Sequence, residues 1–142
     1  MKKIIFALLL ASCGQPQQNC LGPQYPIANG PLPLLPEDVD VFLNCPHGSF
    51  PDYSCAFDML LEMNAEMADW QSFMVGIEVG LADAYETAVI LCEGDSQCIN
   101  NANCDFFQQN QQLYDDYKNG LDAIRDKYAE KMKVECCYDE AL

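Results

Sequence analysis

Residues 60–91 read LLEMNAEMADWQSFMVGIEVGLADAYETAVIL, and the spacing of their apolar positions decides the fold. Apolar or small residues stand at Leu60, Met63, Met67, Trp70, Met74, Ile77, Leu81, Ala84, Ala88 and Leu91, in alternating steps of three and four. A strand repeats every second residue, so this stretch is a helix with a heptad seam. Glu93-Gly94-Asp95-Ser96 closes the run with turn residues. A second helix is expected to begin near residues 100–103, with its seam at Phe107, Asn110, Tyr114, Tyr117, Leu121, Ile124, Tyr128 and Met132. The implied fold is all-α, an antiparallel helical hairpin over residues 52–142.

Proline marks where that hairpin begins. All 8 prolines fall between Pro16 and Pro51, and none follows. Interior proline costs a helix about 3 kcal/mol, so the chain after Pro51 is free to be helical and the chain before it is an extended, Pro-rich N-terminal arm over residues 13–51. Pro31-Leu32-Pro33-Leu34-Leu35-Pro36 is apolar enough to lie along a surface as polyproline, and residues 38–44 have room for one helical turn or a strand.

Facing residues of a hairpin keep a constant sum of positions. One register pairs Met63 with Met132, Met67 with Tyr128, Trp70 with Ile124, Met74 with Leu121, Ile77 with Tyr117 and Ala88 with Phe107. It sets the small residues Gly76, Gly80, Ala84 and Ala88 opposite the rings of Tyr117, Tyr114 and Phe107, so that bulk meets groove. Leu61, Val75, Val79, Val89 and Ile90 lie off the seam and need cover, from the arm, from a second copy in a homodimer or from another partner.

Ahead of the arm, Met1-Lys2-Lys3 precedes an apolar run from Ile4 to Leu10, and small residues lead to a cysteine in Leu10-Ala11-Ser12-Cys13. This N-terminus resembles that of the bacterial lipoproteins, with residues 1–12 as signal peptide. The resemblance stops at the signal and implies acylation of Cys13, which would tether the chain to a membrane. Two or three acyl chains anchor stably where one does not. Gly14 after the cysteine implies the outer membrane of a bacterial cell envelope, since aspartate there is the usual inner-membrane retention signal. Cleavage by an ordinary signal peptidase after Gly14 is the alternative and makes the protein secreted.

Export removes Cys13 from 9 cysteines and leaves an even set of Cys20, Cys45, Cys55, Cys92, Cys98, Cys104, Cys136 and Cys137. In an exported chain of this size, eight cysteines read as disulfides. Zinc is disfavoured because His47 is the sole histidine. The seam register pairs Cys92 with Cys104 and Cys55 with Cys137. Reach then pairs Cys45 with Cys136 and Cys20 with Cys98. A first helix about 55 Å long at about 1.5 Å per residue cannot be spanned by the ten residues between Cys45 and the hairpin base, which extend about 35 Å. Cys136 and Cys137 are interchangeable in this argument, and the tip cysteines allow other pairings.

The composition narrows the function. The chain holds 22 acidic and 7 basic residues, and loss of Lys2 and Lys3 with the signal leaves a net of −17. Lys118, Arg125, Lys127, Lys131 and Lys133 are then the basic residues, with no Lys or Arg between Gly14 and Tyr117. Such a field repels nucleic acid and anionic lipid head groups. No constellation supports catalysis, a cofactor or a built metal site. His47 near Ser49 lacks an orienting carboxylate, and in Asp115-Asp116-Tyr117-Lys118-Asn119-Gly120-Leu121-Asp122 a tyrosine stands where a calcium loop needs a donor. The expectation is a non-catalytic binding or structural module whose acidic surface recognises a basic protein, such as an envelope-targeting toxin or a lysozyme-like enzyme. A carrier of small apolar ligands and a secreted cation-binding protein are the alternatives.

Overall fold

In the computed structural model the residues described are Cys20, 27–28, 39–43 and 45–139. The signal, Cys13, the tether at residues 15–19 and the proline stretch 31–36 lie outside the described residues. In chain order the elements are α1 (Val39–Phe42), β1 (Ser49–Pro51), α2 (Tyr53–Leu91), α3 (Ser96–Glu135) and β2 (Cys137–Asp139).

The molecule is the expected all-α hairpin. Helices α2 and α3 run antiparallel for 39 and 40 residues, each about 60 Å long. Each starts on an aspartate whose carboxylate accepts a backbone N–H three residues on, Asp52 from Cys55 and Asp95 from Cys98. That bond satisfies an otherwise orphaned donor and sets negative charge at the positive end of the helix dipole. The turn between them passes through Glu93 and Gly94, both with positive φ. Helix α3 begins at Ser96, earlier than the expected start, because Asp95 is already its cap.

The core is a methionine-rich stripe of α2 against aromatic and aliphatic residues of α3. Leu60, Met63, Met67 and Met74 are buried with Tyr117, Leu121, Ile124, Tyr128 and Met132. Toward the tip the expected seam fails. Ile77 and Leu91 are exposed, while Glu78, Ala82 and Cys92 are buried; across the hairpin Phe106 and Leu113 are buried, and Phe107 is exposed. A heptad advances 3.5 residues per turn and a straight helix 3.6, so the inward face drifts about 20° per heptad and over four heptads moves by a residue.

The register is also slid by up to about one turn, and the cause is volume. The indole of Trp70 lies against Gly120, where a built Cβ would clash with the ring, and its Nε1 donates to the Tyr117 carbonyl at 3.0 Å. Helix axes pack 8–10 Å apart, which leaves no room for an indole over a bulky partner such as Ile124. Gly76 and Gly80, expected to receive rings, have no other atoms near their missing side chains and face outward.

Four disulfides use all eight expected cysteines, with each pairing changed. Cys92 bonds Cys98 instead of Cys104, and Cys20 bonds Cys104 instead of Cys98. With the short turn and the slid register, Cys98 in the first turn of α3 is opposite Cys92, and Cys104 lies almost two turns further along. At the base Cys55 bonds Cys136 and Cys45 bonds Cys137, the reverse of the expected pairs. Cys136 is the buried C-cap of α3, its N–H still bonded to Met132 O, so it faces α2 and touches the Met59 sulfur at 3.7 Å. Cys137 opens β2 and points to the arm.

The arm is integral to the base. β1 pairs antiparallel with β2, Ser49 opposite Asp139 and Pro51 opposite Cys137, and the ring of Phe50 lies 6.2 Å from that of Tyr138. Val39 and Leu43 of the α1 segment join the buried cluster.

Candidate functional site

Three features of α2 combine toward the middle and tip of the hairpin. One is a solvent-open hollow of about 540 Å³ lined by Glu66, Asp69, Trp70, Phe73, Gly120 and Ile124. Trp70 and Phe73 form its aromatic wall, stacked with centroids 5.7 Å apart and an interplanar angle of 27°. Trp70 is fixed by its bond to Tyr117 and by the absence of a side chain at Gly120. Phe73 is 60% exposed, and nothing in the core requires an aromatic ring there.

The carboxylates beside that wall differ in their partners. Lys127 contacts both oxygens of Glu66, at 2.6 and 2.9 Å, and this bond holds the Glu66 carboxyl below its usual range. Lys131 binds Glu62 at 3.1 Å, and the two ammonium groups flank the Tyr128 ring. Arg125 reaches Asp122 within α3. Asp58, Asp69, Asp83 and Glu86 of α2 have no ion-pair partner among the described residues, and α2 itself carries seven carboxylates with no Lys or Arg.

The second feature is Glu78, 1% exposed and buried beneath the arm. Ile27 is fully buried and its carbonyl accepts from Gln71 Nε2 at 3.2 Å. The backbone N–H groups of Ile27 and Ala28 donate to the Glu78 carboxyl. Burial raises the Glu78 pKa above 4.5, outweighing those two bonds, and its Oε1 has no hydrogen-bond partner among the described residues. Sequence reasoning missed this residue because a heptad puts position 77 inward; a 3.6-residue count from Met74 would have found it.

A third feature is a smaller hollow of about 160 Å³ near the tip, lined by Leu81, Ala84, Tyr85, Ala88, Ala102, Asp105, Phe106 and Gln109. Tyr85 packs on Phe106 at 5.2 Å and donates to Asn103 Oδ1 at 2.7 Å. A cavity of roughly this volume holds one benzene-sized molecule.

Of the off-seam residues, Val75 and Val89 are partly covered, while Leu61, Val79 and Ile90 are exposed. His47 lies exposed in the turn before β1, and the neighbouring Ser49 hydroxyl donates to Asp139 Oδ1 at 2.8 Å. The Asp115–Asp122 stretch is continuous α3 helix, with Asp115 and Asp116 accepting from Gln111 and Gln112 one turn back, so it forms no cation-binding loop. Among the described residues no helix is long and apolar enough to cross a membrane. No protein-family model matches the chain, and no curated protein or solved structure matches it.

Proposed function

We propose that the protein is an exported, lipid-anchored binding module of a bacterial cell envelope that recognises a basic protein. The observation that carries this reading is α2, which joins exposed apolar side chains (Phe73, Ile77, Val79, Ile90) to carboxylates that no cation of the described chain neutralises. Apolar surface supplies area to bury, and unpaired charge supplies steering and the choice of a cationic partner. Export is supported by four disulfides, which persist in oxidising compartments, and attachment by the resemblance of residues 1–13 to a lipoprotein N-terminus. Carriage of an apolar ligand is the weaker reading, because the more enclosed hollow has room for about one ring and the larger one is open to solvent.

The test is binding of the purified protein to a panel of basic and acidic envelope proteins. At least one basic member should bind at low salt and release at about 0.5 M, where the Debye length is near 4 Å. Binding that is indifferent to both charge and salt would refute the reading. The anchor has a separate check in the intact mass of membrane-extracted material, which should show an N-terminal Cys13 with its acyl chains and no free thiols.

A further inference from the structure

We propose that the hollow at Trp70 and Phe73 is the anchoring point for the guanidinium of an arginine side chain on the basic partner. The inference rests on the reading above and names its site. An aromatic pair such as exposed Phe73 and half-buried Trp70 attracts a cation through the negative faces of its rings, most strongly at tryptophan, and a planar guanidinium stacks on such a surface where an ammonium makes only a point contact. The hollow supplies that wall with Trp70 held rigid, so the ring loses little freedom when the ligand arrives. The charge partner is Asp69. Lys127 already occupies Glu66, whereas Asp69 on the same rim has no cation partner among the described residues. A hollow of about 540 Å³ is ample for one such side chain and its stem. An acidic patch by itself would attract any cation diffusely, but rings and an unpaired carboxylate on one hollow define a place and a shape.

Trp70 is the sole tryptophan, so its emission reports the site directly. The experiment titrates the intact disulfide-bonded protein with an octa-arginine peptide at low salt, following Trp70 fluorescence and affinity together. The expected result is a saturable change in emission, with Asp69→Asn and Phe73→Ala each weakening binding about five- to tenfold. Asp58→Asn removes the same charge from an exposed position elsewhere on α2 and should weaken binding less than about twofold. Phe73 and Asp69 are surface residues, so unchanged melting of the variants separates lost binding from lost folding. If wild-type protein binds the peptide while Trp70 emission stays constant, or if Asp69→Asn and Asp58→Asn lose affinity equally, the site is wrong and the broader reading survives. If the wild type fails to bind the peptide at low salt, both fail.

Discussion

Burial raises the Glu78 pKa, so the folded protein holds the proton more tightly than the unfolded chain does. Its contribution to stability is therefore full below the ordinary value of 4.5 and is lost as pH rises through the folded value. Glu78→Gln, a neutral near-isostere, should melt close to the wild type at about pH 4 and above it at about pH 7; a gap independent of pH would show that the fold leaves the Glu78 pKa unshifted. At Gly120 an added methyl has nowhere to go. Gly120→Ala should destabilise by about 1–3 kcal/mol and shift Trp70 emission to the red, both readable in one urea titration. Sequence spacing pointed to Gly76 and Gly80 as the receiving groove, whereas the glycine that is filled is Gly120. Periodicity reports which face a residue occupies, and only the volume of the facing side chain reports which glycine is filled.

At the scale of elements, the two helices, their order, the turn between them and the helical start after Pro51 were all legible, because each depends on local signals. Those signals are the absence of proline, apolar steps of three and four, and the turn residues at 93–96, whereas the Asp95 cap that starts α3 early went unread. Register was not legible, since it depends on one bulky contact, and the disulfide pairs inherited that error. The base makes the point in energies. Cys45–Cys137 and Cys55–Cys136 close nearly the same loop, with sequence separations of 92 and 81. Once one is formed, the other closes only the short circuit of about a dozen residues around it. Breaking either alone should cost about 3 kcal/mol, while breaking both should cost clearly more than twice one bridge's effect. Urea midpoints of the Cys45→Ala/Cys137→Ala, Cys55→Ala/Cys136→Ala and quadruple variants, with the other bridges intact, measure this. Strict additivity would mean that chain entropy is not what these bridges contribute.

The described residues form a thin rod whose cations are confined to the second half of α3, in a chain whose net charge is −15. Repulsion along such a rod opposes folding and is screened by salt, whereas its few surface ion pairs contribute little that salt could remove. Raising sodium chloride from about 0.02 to 0.5 M should therefore raise Tm by several degrees, and a fall would place the ion pairs of Glu62 and Glu66 above self-repulsion. Acidity was readable from composition and the eight bridged cysteines from their even count, but the hollow at Trp70 was not, because it is assembled from two helices whose register no local signal fixes. Cys20 is fastened to Cys104 near the hairpin turn, far from the Cys55–Cys136 clamp. Cys20 stands seven positions after Cys13, a leash of at most about 25 Å. Acyl chains at Cys13 would thus hang the rod by its turn, with the doubly bridged pole projecting outward like the free end of a bristle.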